Sequence, residues 1–229
     1  MLSCFNMSYC TLLSTPLSPG ISLSIDDCPV TLQEINEMKL TLYFKALGSL
    51  MWLFVAICPD LSFAVNILSH FSHNPKKPYW NTLKHTMVYM KGTIDYGITY
   101  RGGANLNPIG YMDSDYASYK DTRRSTEGNI IVIARGPVSW ESKHQKTVVL
   151  STVKSKYMAF ICTTAQGLWI LKFFTEIGLP QHTPIVVHAN NSSSIINSTT
   201  DKHHCWTKHI GIKYHFVKEH TKKGEITFS

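Results

Sequence analysis

The spacing of apolar residues divides the chain into a helical first part and a mixed second part. Three stretches between residues 41 and 92 repeat apolar positions every three or four residues, which predicts three short helices. Pro59 ends the first helix, Asp60 is placed to cap the second, and Gly92 ends the third. We therefore expect a small helical subdomain here, with its aromatic and methionine stripes forming a core.

Residues 1–38 have a different composition, rich in Ser, Thr and Pro. Such a composition predicts an extended, poorly packed leader. Near its end, Thr31 and Glu34 have the spacing of a capping box, which predicts the start of a helix.

The second part changes to short strands and one long helix. Residues 96–100 alternate between polar and apolar, and a glycine-rich loop follows. The predicted elements after it are strands within 110–115, 129–134 and 137–140, a helix at 148–178, a strand at 184–189, helices at 192–197 and 209–222, and a final short strand. Hairpins followed by a helical crossover predict a mixed sheet with flanking helices.

Composition limits the kind of protein and its partners. The chain has 229 residues, 44% of them hydrophobic, which is enough for a core. The net charge is +7 and the isoelectric point about 9.0, so a polyanionic partner is plausible, while a solvated basic surface is the plainer alternative. Six cysteines without a CxxC pair indicate reduced, intracellular thiols, and the longest apolar run is too short to span a membrane.

Two aspartates in the first strand of the second part suggest a metal site. Asp113 and Asp115 are two residues apart, so on a strand both side chains point to the same face. Paired carboxylates of this kind suit a hard divalent cation such as Mg²⁺.

A set of motifs in this second part resembles a known family. The segments GYMDSDYAS, DTRRSTEG, GPVSW, STVKSKYMA and TKHIGIKYHF occur in this order, at plausible spacing. As a set they resemble the C-terminal part of the Pol polyproteins of copia-type LTR retrotransposons. The extended leader at 1–40 is predicted from composition. The resemblance implies that residues 41–95 are the helical tail of a reverse transcriptase and that residues 96–229 are a ribonuclease-H-like domain, truncated at its C-terminus.

The resemblance also implies a reaction, its cofactor and its partner. Ribonucleases H of this family cleave the RNA strand of an RNA–DNA hybrid, with four carboxylates that hold two Mg²⁺ ions. No small-molecule cofactor and no membrane are implied. The hybrid would be recognised mainly through its backbone and shape.

This sequence departs from the family pattern at the metal ligands. Asp113 matches the first acid of the family. The second and third acids are replaced by Lys156 and Asn190, and Lys154 replaces a further acid near the second. The helix that carries the fourth acid would follow Ser229. Asp115 is a substitute ligand at most. A lysine ammonium roughly 4 Å from a divalent ion costs on the order of 8 kcal/mol at an effective dielectric constant of about 20.

Several basic residues are candidates for contacts with nucleic-acid phosphates. Arg123 and Arg124 lie in the turn after Asp113, and Lys143 follows the third strand motif. Other candidates are Lys208 and His209 in the TKHI motif. Trp140 in the PVSW motif is predicted to lie in the core.

Three functions therefore remain open. The first is a ribonuclease-H-like domain that has lost catalysis and retains weak binding to an RNA–DNA hybrid. The second is an active, Mg²⁺-dependent hybrid ribonuclease. The third is an incompletely folded relic of a mobile element without a biochemical role.

Overall fold

The structure, a computed structural model, divides into two compact units, Met1–Ile98 and Thr99–Ser229. It describes residues 1–5, 7, 9–27, 31–103, 105–181, 184–189 and 208–229, with the backbone alone at 208–214.

The first unit is helical, as the apolar spacing predicts. Short 3-10 turns lie at Leu2–Phe5, Ile25–Asp27 and Pro59–Leu61, and the α-helices are α1 (Leu32–Lys39), α2 (Tyr43–Ala56), α3 (Ser62–Ser69) and α4 (Lys77–Gly92). The capping box is confirmed: the Thr31 hydroxyl accepts from the Glu34 amide, and the Glu34 carboxylate accepts from the Thr31 amide. Leu50, Leu68 and Leu83 are fully buried in this unit.

The predicted cap of α3 is wrong. Leu61 occupies the N-cap position, without a side-chain hydrogen bond. Asp60 lies one residue earlier, inside the 3-10 turn, and its Oδ2 accepts a 2.6 Å hydrogen bond from the Tyr89 hydroxyl. Pro59 therefore starts a turn that moves the helix start beyond the reach of Asp60.

The second unit contains a five-stranded sheet. Its elements are β1 (Ile109–Ser114), β2 (Thr126–Ile133), β3 (Gly136–His144), α5 (Thr152–Glu176), β4 (Ile185–Ala189), α6 (Lys208–Lys222) and β5 (Ile226–Phe228). The strand order is β3-β2-β1-β4-β5. Strands β1, β2 and β3 pair antiparallel, whereas β4 pairs parallel with both β1 and β5. The prediction of a mixed sheet with flanking helices is confirmed.

Residues 96–100, whose sequence alternates, form neither a helix nor a strand. The predicted helix at 192–197 lies outside the described residues.

Helix α5 is the core helix of the second unit. The Ser151 hydroxyl caps its first turn by accepting from the Lys154 amide, and Gly178, with φ of 78°, follows its end as predicted. Tyr157 and Phe160 are fully buried in a cluster with Ile185 and other residues of the sheet. The helix is long and apolar enough to cross a membrane by length and composition, but these contacts explain its apolar residues by packing on the sheet.

Two glycines allow α5 to lie close to the sheet. A β-carbon at Gly110 of β1 would be 2.9 Å from Thr163 Cγ2, and one at Gly167 of α5 would be 2.8 Å from Ile185 Cδ1. The absence of a side chain at both positions sets the distance between helix and sheet, and with it the position of the first turns of α5.

We expect the Gly110→Ala substitution to destabilise the second unit. The added methyl group meets Thr163 as well as Ile131 and Val187, both at 3.4 Å, and overpacking of this kind costs about 1–3 kcal/mol. Urea unfolding followed by circular dichroism measures the change. Gly102→Ala, where no atom lies within 4 Å of the new β-carbon, is the matched control; equal stabilities of the two variants would contradict the prediction.

Candidate functional site

Asp113 lies near the end of β1, where its carboxylate meets a lysine. Lys156 Nζ is 3.2 Å from Asp113 Oδ1, and the same oxygen accepts a 2.8 Å hydrogen bond from the Ser114 amide. The Asp113 side chain is 63% exposed and that of Lys156 19% exposed. Asp113 and Lys156, which are predicted to occupy the positions of the first and second family acids, are therefore ion-paired with each other.

A buried pair of serines places Lys156 at Asp113. Ser155 on α5 is fully buried, and its hydroxyl donates a 2.7 Å hydrogen bond to the carbonyl oxygen of Asp115. The same hydroxyl lies 2.9 Å from that of Ser114 on β1. These contacts hold the first turns of α5 against the end of β1, so the next residue of the helix is held beside Asp113.

Asp115 has a different environment from Asp113. It lies just beyond β1, and its Oδ1 accepts a 2.6 Å hydrogen bond from the Thr126 amide at the start of β2. Its Oδ2 accepts from the Ser118 hydroxyl. Both oxygens therefore hold together the loop between β1 and β2.

That loop presents the two predicted arginines to solvent. The Arg123 amide donates to the Tyr119 carbonyl at 2.7 Å, and the Tyr119 amide donates to the Arg124 carbonyl at 3.1 Å. Arg123 adopts a positive φ of 55°, and both arginine side chains are exposed. Their charges lie on a turn that directly follows the strand of Asp113.

Lys143, the third predicted phosphate contact, is engaged by two glutamates. Its Nζ lies 2.6 Å from Glu141 Oε2 and 3.6 Å from Glu127 Oε1. Burial lowers the pKa of Lys143, but the hydrogen bond to Glu141 and the negative field of its neighbours raise the pKa overall. The lysine stays charged and balances these carboxylates.

Glu127 is a buried charge that sequence reasoning missed. Its side chain is 4% exposed and accepts from Gln145 Nε2 at 3.2 Å and from the Cys162 thiol at 3.1 Å. The same Gln145 amide donates to the Ser155 carbonyl at 2.8 Å. The alternation of side chains along β2 could have revealed this burial, because Glu127 lies on the same side of the strand as the buried Ile131.

The remaining predicted site residues cannot be compared in the same way. Asn190 lies outside the described residues, and of Lys208 and His209 only the backbone is described, in the first turn of α6. Within the described part of the chain, no three His, Cys, Asp or Glu side chains form a group that could hold a metal ion. Trp140, predicted to lie in the core, is half-buried, because it pairs with Ile130 on the side of the sheet away from α5.

Comparisons with known proteins identify the family. The sequence is 36% identical over 219 residues to the retrovirus-related Pol polyprotein from transposon TNT 1-94 of Nicotiana tabacum, covering 96% of this chain and 16% of the relative. It is 33% identical over 229 residues to that from transposon RE1 of Arabidopsis thaliana, covering 99% of this chain and 15% of the relative. No protein-family model matches the chain.

A solved ribonuclease H structure gives a partial superposition. LC11-RNase H1, isolated from compost, superposes with a TM-score of 0.40 at 11% identity, over 54% of this chain and 83% of that one.

The chain belongs to the Pol polyproteins of copia-type retrotransposons, as the motifs predict. It spans about a sixth of the length of these two relatives.

We expect Cys162 to resist alkylation in the folded protein. Burial, followed by the negative charge of Glu127 and the hydrogen bond to it, raises the pKa of the thiol to about 12. At pH 8 the reactive thiolate is therefore on the order of one part in 10⁴, against roughly a quarter for a thiol of ordinary pKa of about 8.5. Iodoacetamide labelling with peptide mass spectrometry measures the rates, with the exposed Cys4 as internal control; labelling of both at the same rate would contradict the expectation.

Proposed function

We propose that the second unit is a ribonuclease-H-like domain that no longer cleaves nucleic acid. The observation that carries this proposal is the 3.2 Å contact between Lys156 Nζ and Asp113 Oδ1. Two-metal hydrolysis needs carboxylates whose negative charge balances two divalent ions. Here one carboxylate of the expected set already has a cationic partner.

Electrostatics favour the ammonium over a Mg²⁺ ion at this position. The pair is partly exposed, so it contributes at most about 1 kcal/mol to stability, and the attraction alone would not exclude a metal. A divalent ion placed about 4 Å from the unmoved ammonium, however, is repelled by on the order of 8 kcal/mol. Mg²⁺ therefore requires Lys156 to leave, and it then gains a single assigned carboxylate.

The carboxylates near Asp113 determine whether this site could bind a metal ion. Within the described part of the chain, Asp113 and, after rearrangement, Asp115 are the carboxylates that could contribute to a Mg²⁺ site here. Asp115 would weaken the two hydrogen bonds that close the loop after β1 if it turned toward a metal. These residues do not fit a two-metal centre, and no catalytic step is assigned to them.

We further propose that the domain binds an RNA–DNA hybrid weakly and through its phosphates. The support is the net charge of +7 and the exposed arginines 123 and 124 beside the end of β1. Contacts of this kind fix position along a duplex without reading its sequence. We expect Lys143 to contribute less to phosphate binding, since its ammonium group is ion-paired with Glu127 and Glu141.

A reversal of the lysine charge tests the loss of the metal site. We expect millimolar Mg²⁺ or Mn²⁺ to leave the melting temperature of the wild type unchanged and to raise that of Lys156→Glu. A ligand at ten times its dissociation constant adds about 1.4 kcal/mol to the free energy of unfolding, which raises the melting temperature by roughly 2–6 °C. Differential scanning calorimetry measures it.

The matched control is Lys154→Glu, which adds the same charge two residues away, where side chains of a helix do not face each other. It should show no Mg²⁺-dependent shift. Hybrid cleavage by the wild type that disappears in Asp113→Asn would refute the proposal and restore the active ribonuclease. A broad, non-cooperative melt would instead favour an incompletely folded relic.

Neutralising the two loop arginines tests hybrid binding. We expect the double variant Arg123→Gln, Arg124→Gln to bind a fluorescein-labelled RNA–DNA hybrid more weakly. Because each lost phosphate contact lowers the slope of log affinity against log salt by about 0.9, the slope should fall by roughly one to two units. Lys172→Gln, on the exposed surface of α5, is the charge-matched control. Fluorescence anisotropy at several salt concentrations gives the slope, and an unchanged slope in the double variant would count against binding at this loop.

A further inference from the structure

The segment that precedes α1 lies along helix α4 in the first unit. The Lys91 ammonium, in the last turn of α4, donates a 3.0 Å hydrogen bond to the Cys10 carbonyl. The Tyr79 hydroxyl, in the first turn of α4, donates to the Ser24 carbonyl. The segment therefore runs antiparallel to α4 along most of its length, and we call residues 10–24 the strap.

The end of the strap nearest α1 is fixed by burial. Ser24 is fully buried, and Leu23 beside it is buried as well. The Asp26 amide donates to the Ser24 hydroxyl at 3.2 Å. The Tyr79 ring is fully buried and stacks on Phe71, with the ring centroids 4.4 Å apart. We call Leu23 and Ser24 the anchor, because they leave α4 only if the core of the unit unfolds.

The other end of the strap is held by side chains of α4 that bind its backbone. The His85 Nε2 donates a 3.0 Å hydrogen bond to the Thr15 carbonyl, and its Nδ1 lies 3.1 Å from the Ser18 hydroxyl. The Thr86 hydroxyl donates to the Pro16 carbonyl at 2.9 Å. With the lysine contact described above, three residues of α4 fasten this end.

Burial contributes little to this end of the strap. None of residues 10–18, all of which the structure describes, is buried, and Leu12 is 58% exposed. We call residues 10–18 the latch, because hydrogen bonds hold it where apolar packing holds the anchor. Hydrogen bonds are exchanged for bonds to water at a small net cost, whereas apolar side chains are not. The latch is therefore the part of the strap that can leave α4 separately.

The donors that hold the latch have other partners when it leaves. The Thr86 hydroxyl also donates to the Thr82 carbonyl within α4, at 3.1 Å. His85 and Lys91 are half-buried, so water can replace the strap carbonyls as their acceptors. Opening therefore leaves none of these three donors buried without a partner, and that loss is the main cost of breaking a hydrogen bond in a protein.

A turn that contains a glycine separates the latch from the anchor. The Ile21 amide donates to the Ser18 carbonyl at 3.2 Å, and Pro19 and Gly20 between them are both exposed. Gly20 has a φ of 73°, and no described atom lies within 4 Å of a β-carbon at this position. Because glycine has access to both signs of φ, a change of backbone angles here moves the latch without moving the anchor.

We propose that the strap is hinged: the latch opens away from α4 by rotation at Pro19 and Gly20, while the anchor and the helices stay folded. The opening is local, because it breaks side-chain hydrogen bonds and leaves the apolar core intact. It changes the surface of α4, since the open state presents His85 and Lys91, which the closed latch engages. This inference concerns the first unit and does not depend on the function proposed for the second.

Native-state proteolysis of the full chain with thermolysin tests the opening. Thermolysin cleaves before leucine, so Leu12, Leu13 and Leu17 report on the latch, and cleavage within α2 in the same digest reports unfolding of the unit. When opening and closing are fast, the cleavage rate follows the population of the open form. We expect latch cleavage to be nearly independent of urea below the unfolding transition, because local opening exposes little surface. Mass spectrometry of the fragments measures both rates.

A threonine substitution on α4 should change the open population. Thr86→Val removes the bond to the Pro16 carbonyl and keeps the shape of the side chain. Latch cleavage should therefore rise roughly two- to twelvefold, which corresponds to a hydrogen bond worth about 0.5–1.5 kcal/mol. Thr93→Val is the matched control: its hydroxyl donates to carbonyls of α4 itself, so the rate of latch cleavage should not change.

Gly92→Ala separates opening of the latch from loss of the helix. The new β-carbon would lie 3.3 Å from the Leu13 carbonyl oxygen and push the latch away, whereas alanine favours a helix more than glycine does. We expect faster latch cleavage without faster cleavage in α2. Gly48→Ala, where no described atom lies within 4 Å, should leave latch cleavage unchanged. The proposal is overturned if Thr86→Val and Gly92→Ala are cut at the wild-type rate, or if latch and α2 cleavage rise with the same dependence on urea.

Discussion

The close packing of α5 on β1 is the constraint on which the second unit depends. Gly110 and Gly167 let the helix and the sheet approach until a methyl group at either position would collide. At the N-terminal end of the helix, the Ser155 hydroxyl bonds to the Asp115 carbonyl and lies beside Ser114, 41 residues away in sequence. The position of every side chain on the first turns of α5 follows from this contact, including that of Lys156.

The ion pair at the end of β1 lies outside the apolar core of the second unit. The core depends on buried apolar residues such as Tyr157, Phe160 and Ile185. Replacing an expected acid by Lys156 leaves that burial intact, and the new ammonium finds a carboxylate partner in Asp113. Because stability comes mainly from apolar burial, it places few limits on exposed charges at the edge of the sheet.

A carboxylate that is buried in the sheet, unlike an exposed one, needs partners. Glu127 is buried, so leaving its carboxylate without partners would cost several kilocalories per mole. Gln145, Cys162 and Lys143 each supply a partner. This network joins β2 and β3 to α5. Arg123 and Arg124 of the loop after β1, by contrast, are exposed.

The sequence alone determined the family and most of the helices and strands. The periodicity of apolar residues placed three helices before residue 92 and a long helix near residues 148–178, and the motifs identified Asp113 and the position of Lys156. Those features are local, because the spacing along one segment determines which side of it is apolar. Asp60 shows the limit of local reasoning: Pro59 started a 3-10 turn, and the expected cap became a partner of Tyr89.

Only the tertiary structure decided how distant residues meet. It paired Lys156 with Asp113, turned both oxygens of Asp115 into loop contacts, buried Glu127 among three partners, and left Trp140 half-buried on the side of the sheet away from α5. Each outcome depends on strand register and on which face the helices cover, and a strand's own sequence specifies neither. The physical reason is that apolar spacing identifies two sides of a strand, whereas the packing of α5 and α6 selects the side that becomes the core.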